Sequence, residues 1–170
     1  MTHLFTIGYE GATPEAFDAT LQSSGVERLV DLRAVAVSRR KGFSKTGLAA
    51  RIEGHGIDYT HLRALGDPKP GRDAARAGQF SLFRTIYAQH LQSAEAQAAL
   101  EELQSLAERQ RLALLCFEAD AAHCHRTMVA LSVAKASELA IVHLKVELEP
   151  KSNGAAARTY DHPYQGLAAA

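Results

Sequence analysis

Short apolar runs alternate with amphipathic stretches along this chain. Leu4-Phe5-Thr6-Ile7 stops at Gly8 and predicts a buried first strand. Thr13-Pro14 follows with an N-cap residue and a proline at the first helical position, and Phe17 and Leu21 lie four apart on one face. Gly25 ends that helix, and Leu29-Val30-Asp31-Leu32 is the next strand. Strand, helix and strand in this short space predict a βαβ unit and a parallel sheet. After a polar, basic loop from Arg33 to Gly42, Phe43-Ser44 opens a second helix, with Ser44 as cap and Phe43 stapled onto Leu48. It ends at Gly54 or Gly56, and Ile57 to Leu62 reads as a third strand.

From Gly66 to Gly78 the density of Pro, Gly and charge predicts a long loop. Helical spacing returns with Leu82, Phe83, Ile86, Tyr87 and Leu91, and again with Leu100, Leu103 and Leu106. Leu112-Ala113-Leu114-Leu115-Cys116-Phe117 is the most apolar run and predicts a central strand buried on both faces. A helix from about Cys124 to Ser137 and a last strand, Ile141-Val142-His143-Leu144, complete the pattern. The expected fold is a single three-layer α/β domain over 1–149, with a mainly parallel sheet of about five strands flanked by helices. A C-terminal tail over 150–170 follows, with little periodicity.

The bulk numbers narrow the function classes. The 170 residues, 46% of them hydrophobic, suffice for one core without staples. No apolar run reaches the ~20 residues that span a bilayer, and the start lacks a basic leader, so a cytoplasmic protein with no membrane partner is expected. Two cysteines do not make a disulfide scaffold. Net charge is zero, yet eleven of the nineteen Lys and Arg fall between Arg28 and Arg76, against five acids there. Such a stretch is either a solvated face or a surface for an anionic small molecule or nucleic acid.

The chemistry concentrates in Cys116-Phe117-Glu118 and His123-Cys124-His125-Arg126, between a strand and a helix. Ligands of open parallel sheets bind at the carboxyl ends of strands, and a helix N-terminus adds free N–H groups. Cys124, flanked by histidines and Arg126, is a candidate nucleophile, with Glu118 or His125 as acid–base partner; the plainer reading is a half-buried structural cysteine. Cys116, inside an apolar strand, reads as a small core residue. Cys116, His123, Cys124 and His125 are soft or borderline metal ligands, but zinc is disfavoured, because the Cys-x2-Cys and His-x3-His pairs of structural sites are missing and neighbouring Cys124 and His125 on a helix would point apart. No metal and no cofactor is assigned.

Asp31 and Arg33 share a strand face, so Arg33 can grip an anion with Asp31 orienting it, or the two can simply close the strand as an ion pair. Arg39 on the basic loop, Arg126, and the turn Gly8-Tyr9-Glu10-Gly11 are further candidates for ligand contact. Gly8 to Gly11 is neither a dinucleotide fingerprint nor a P-loop. His61 and His143 read as hydrogen-bonded core histidines.

Taken in order, Thr6-Ile7-Gly8-Tyr9, Val30-Asp31-Leu32-Arg33, Ser38-Arg39 with Gly42-Phe43, Tyr59-Thr60-His61-Leu62 through Gly66, Leu115-Cys116-Phe117-Glu118 to Cys124-His125-Arg126, and Val142-His143-Leu144 resemble the DUF488 family over roughly residues 3 to 145. The resemblance implies a small α/β protein whose motif residues surround one pocket; it brings no reaction. Members usually carry His-Ser where this chain has Tyr9-Glu10, which removes a base from position 9, and tend to carry Pro where it has Ala36.

Three functions are therefore expected, in this order. The first is a pocket at the strand ends, built from Asp31, Arg33, Glu118, Cys124, His125 and Arg126, that binds an anionic or phosphorylated ligand such as a nucleotide or nucleic acid through Arg33, Arg39 and Arg126. The second is a thiol-dependent enzyme using Cys124 for sulfur or acyl transfer. The end of the second strand resembles that of rhodanese-like sulfurtransferases, although Arg126 follows Cys124 too closely for a phosphatase-like Cys-x5-Arg loop. The third is a non-enzymatic binding or regulatory module with a structural Cys-His-Arg cluster.

Overall fold

Each segment read as a strand, four apolar and one, Ile57 to Leu62, rich in β-favouring residues, contributes one strand of a five-stranded sheet. In the computed structural model, which describes residues 3–147, these are β1 (His3–Gly8), β2 (Arg28–Asp31), β3 (Asp58–His61), β4 (Leu112–Cys116) and β5 (Ala140–Leu144). The order is β3-β2-β4-β1-β5, and every pairing is parallel. The helices are α1 (Pro14–Ser23), α2 (Lys45–Gly54), α3 (Lys69–Arg76), α4 (Phe80–His90), α5 (Ala94–Ala107) and α6 (His125–Ser137), with 3-10 turns at Arg63–Leu65 and Ala121–His123. The expected boundary at 149 and the tail lie outside the described residues. No helix among the described residues is long and apolar enough to cross a membrane.

Strand side chains alternate, and the alternation sorts the core into two layers. Leu4, Val30, Leu32, Leu112 and Leu114 face one way and pack with residues of α3 to α6, among them Phe83, Tyr87, Leu103 and Val129. Phe5, Ile7, Leu29, Ala113 and Leu115 face the other way, onto Phe17 and Leu21 of α1 and Leu48 and Ile52 of α2. The connection leaving β1 runs through α1 and the one leaving β4 runs through α6, so two adjacent strands send their chains to opposite faces. Parallel sheets characteristically place their sites at such a divergence, but here the turn after β1 and the loop after β4 close on each other, the Glu10 amide donating to the Phe117 carbonyl at 2.9 Å.

Local signals explain the ends of these elements. Thr13 caps α1 by accepting from the Ala16 amide at 3.2 Å, and Gly25 follows the helix at φ 65°. Ser44 departs from expectation: it precedes α2 but makes no capping bond. Its hydroxyl accepts from the Ser38 amide and donates to the Ser38 carbonyl, which ties the basic loop instead. The stretch from Gly66 to Gly78 is not a loop, because it contains α3. Pro68 and Pro70 sit at the start of that helix, where a missing N–H costs nothing. Gly71 lies where a Cβ would come within 2.1 Å of Asp67 Oδ1, so this glycine marks close packing rather than a turn.

Candidate functional site

Two polar clusters form at the strand ends, on opposite faces of the sheet. Asp31 is paired in register with Leu115, so Cys116, the next residue of β4, projects to the other side. The single pocket expected from sequence is thereby divided. Cys116, Glu118, Cys124 and His125 gather on the α6 face, and Asp31 and Arg33 on the α1–α2 face.

On the α6 face, β4 ends at Cys116 and the chain crosses to α6 through the 3-10 turn. Cys116 Sγ lies 2.8 Å from Glu118 Oε2, and Cys124 Sγ lies 3.2 Å from the same oxygen. His125 Nδ1 is 3.6 Å from the Cys116 sulfur and 3.9 Å from the Cys124 sulfur. Contrary to the sequence expectation, neighbouring Cys124 and His125 converge. Cys124 is the residue before α6, with extended φ −119° and ψ 141°, so its side chain does not follow the helical rotation. The other ring nitrogen of His125 is 3.2 Å from the Leu32 carbonyl. A carbonyl only accepts, so Nε2 carries a hydrogen, and in the neutral ring the Nδ1 lone pair faces the sulfurs.

Both thiols and the imidazole are buried. Burial pushes the Cys116 thiol well up, and the neighbouring Cys124 and Glu118 add to it. Burial also opposes ionisation of Cys124, but the Cys116 S–H, Arg126 and His125 together bring it well below the ordinary thiol value. Burial, with Cys124 beside it, lifts Glu118 to about 7. Burial works against charge on His125, yet Cys124 and Glu118 raise it overall. Asp67, whose Oδ1 is buried without a partner, is raised by burial to about 6. The arrangement favours the thiol form at Cys116 and ionisation at Cys124.

Arg126 builds the floor. It is fully buried, and its guanidinium donates to the Glu118 carbonyl, to the Ala119 carbonyl at 3.2 Å and to Thr6 Oγ1 at 3.3 Å. Gly8 serves the same loop. A Cβ there would lie 1.8 Å from the Glu118 carbonyl oxygen, so its bare backbone admits residue 118, not a ligand. Glu10 Oε2 accepts from the Ala119 amide. Cys124, unlike Cys116, is among the residues that line a small cleft, with Phe83, Arg84, Thr127, Met128 and Leu131. Tyr87 closes the inner side, its ring 5.3 Å from that of His125.

On the opposite face, Arg33 Nε and Nη2 grip both oxygens of Asp31, at 2.9 and 2.7 Å. Its Nη1 donates to Tyr9 Oη and the Phe43 carbonyl. Tyr59 donates to Asp31 Oδ2 at 2.6 Å. Tyr9 stacks on Phe43 at 4.6 Å and is buried with it. This is the strand-closing ion pair, wholly desolvated, with Arg33 5% and Asp31 0% exposed. Arg39 is exposed on the basic loop and joins neither cluster. His61 accompanies the ion pair through the Arg33 carbonyl, and His143 meets Thr6 Oγ1 at 2.7 Å.

The sequence places Cys116 in the cluster but favours a core role for it, and it does not mark Tyr59, Tyr87 or Asp67 for these settings. For Cys116 a signal existed: Cys116-x-Glu118 places two side chains on the same side of an extended segment. Nothing local marks Tyr87 or Asp67, which arrive from α4 and the start of α3. Cys116, Cys124 and His125 also form a group whose ligand atoms all lie within 4.8 Å of one another.

No curated protein and no solved structure matches the chain. Residues 13–132 match the family described as "Domain of unknown function DUF488", more than two thirds of the chain. That span holds Asp31, Arg33, Cys116, Glu118, Cys124, His125 and Arg126, and leaves β1 with Gly8 and Tyr9 outside it. On that match the chain belongs to the DUF488 family.

Proposed function

We propose that the protein is a thiol-dependent enzyme in which Cys124 acts as nucleophile in the transfer of a sulfur or acyl group. The observation that carries this reading is the contact of both sulfurs with one carboxylate oxygen, at 2.8 and 3.2 Å, beside a cleft that borders Cys124. Glu118 takes the Cys124 proton. The sulfur then forms a bond to the carbonyl carbon or sulfane sulfur of the donor. The displaced group leaves with the bonding electron pair and recovers the proton from Glu118. Cys116, 2.8 Å from the same carboxylate oxygen, holds Glu118 in place until the proton moves and then turns its S–H to the Cys124 thiolate, and His125 and Arg126 supply positive charge beside Cys124.

Capture of an anionic ligand, nucleotide or nucleic acid draws less support. Arg33 and Arg126 direct their donors at internal acceptors, and Arg39 stands apart. A purely structural cluster is favoured by one observation, the Arg126 clamp on the loop carbonyls. Alkylation separates it from the enzymatic reading. The native chain, in chelator, is treated with iodoacetamide and the modified peptides are mapped. Cys124 is expected to react before Cys116, and Glu118→Gln to slow it by about tenfold or more. Two cysteines that react only on unfolding would overturn the proposal.

A further inference from the structure

The geometry points to a zinc-class divalent ion bound by Cys116, Cys124 and His125, with Glu118 as fourth ligand. The inference uses the side chains of the thiol site and does not depend on Cys124 being a nucleophile: with the ion bound, Cys124 and Glu118 are ligands, and the thiol chemistry belongs to the metal-free chain. It starts from spacing. Ligand lengths of ~2.3 Å for sulfur and ~2.0–2.1 Å for nitrogen, at tetrahedral angles, separate a sulfur from a nitrogen by about 3.5 Å. The two sulfurs here stand 3.6 and 3.9 Å from His125 Nδ1. Both sulfurs and the nitrogen fall within 4.8 Å of one another, as three corners of such a tetrahedron must.

The surroundings have the features of a metal centre. His125 is oriented by its Nε2–H bond to the Leu32 carbonyl, a pairing that fixes the tautomer of metal-binding histidines and aims the free nitrogen. Glu118 Oε2 contacts both sulfurs, at 2.8 and 3.2 Å, but lies outside the group of atoms within 4.8 Å of one another, so it swings toward His125 to take the fourth corner. Two thiolates, a carboxylate and a neutral imidazole around a divalent ion sum to one negative charge, which the buried Arg126 beside Cys124 balances. Binding displaces the protons held by the two thiols, and any on Glu118 and on His125 Nδ1, to solvent and changes no oxidation state. The donors arrive from the end of β4 and the start of α6, held by the Arg126 clamp, so little ordering is needed on binding.

The test is a titration of the metal-free full-length chain with Co2+, followed in the near-ultraviolet and visible. One equivalent is expected to give the intense visible bands of tetrahedral cobalt with charge-transfer absorption from two thiolates, and zinc to displace it. Cys116→Ser and Cys124→Ser should each remove about half of the charge-transfer intensity, and His125→Ala should weaken binding by more than the roughly 10–100-fold lost when only a ligand's hydrogen-bond partner is removed. Circular dichroism of the metal-free variants checks their folding; the wild-type intensity counts thiolates even if a variant does not fold. A spectrum of octahedral cobalt, or a tetrahedral one unchanged in folded Cys→Ser variants, would overturn the inference. Selective alkylation of Cys124 without a cobalt site refutes the metal centre alone. A cobalt site without selective alkylation refutes the nucleophile alone.

Discussion

Asp31 and Arg33 set the terms for reading single residues in this protein. Both are charged, both lie at a strand end, and both look like ligand contacts until their partners are counted. Arg33 directs donors at Asp31, Tyr9 and the Phe43 carbonyl, and Asp31 also accepts from Tyr59 and from the Arg33 amide. A desolvated pair of this kind is costly to break from one side. Arg33→Met is expected to lose about 3–5 kcal/mol in urea denaturation, because Asp31 stays buried without its cation. Replacing both, as Asp31→Leu with Arg33→Met, should cost less than the single change. A stable Arg33→Met protein would mean that the ion pair does not hold the strand end.

Cys124 depends on its neighbours in the opposite sense. Its residue type and its place before a helix were legible in the sequence. What was not legible was its extended backbone, which turns the side chain back toward His125. Reading Cys124 as already helical predicted divergence. Cys116 was hidden for another reason: an apolar strand residue ordinarily packs against apolar neighbours, and only the distant arrival of α6 gives it His125 as a partner.

At the scale of elements, the strands were the most legible feature, because β1, β2, β4 and β5 carry short apolar runs, and β3, polar and only partly buried, is marked by its β-favouring residues. The region of α3 misled because prolines and glycine at a helix start look like a loop when their positions within the turn are unknown. The seam between β1 and the loop after β4 is the element contact that most directly shapes the site. Gly8 makes it possible, since any Cβ would strike the Glu118 carbonyl. Gly8→Ala is expected to destabilise the protein by about 2 kcal/mol or more, as backbone overlap at a packed seam does. Gly47→Ala is the matched control. It lies inside α2 with nothing within 4 Å of its Cβ position, and should be neutral or stabilising by about 0.5–1 kcal/mol. Thermal or urea melts of the two variants check the contrast, and equal effects would remove the seam from the account.

For the whole molecule, the sheet order decides what the polar residues can do together. The sequence indicated parallel strands but not the order β3-β2-β4-β1-β5, which depends on contacts between segments far apart. That order places β4 between β2 and β1, and the register of β4 then sends Leu115 toward Asp31's face and Cys116 toward α6. One face thus carries a saturated ion pair and the other carries two thiols, a carboxylate and an imidazole. The division of labour between a scaffold face and a chemical face is the central claim.

The measurement that tests it most directly uses trivalent arsenic, which condenses with two adjacent thiols and releases water. The chain has two cysteines, so the count is unambiguous. Phenylarsine oxide added to the native protein is predicted to bind once, to remove both free thiols by titration and intact mass, and to lose this in Cys116→Ser and in Cys124→Ser. It should bind equally well to the doubly substituted Asp31→Leu, Arg33→Met protein. An adduct that forms only after unfolding, or persists in either serine variant, would contradict the convergence of the two thiols.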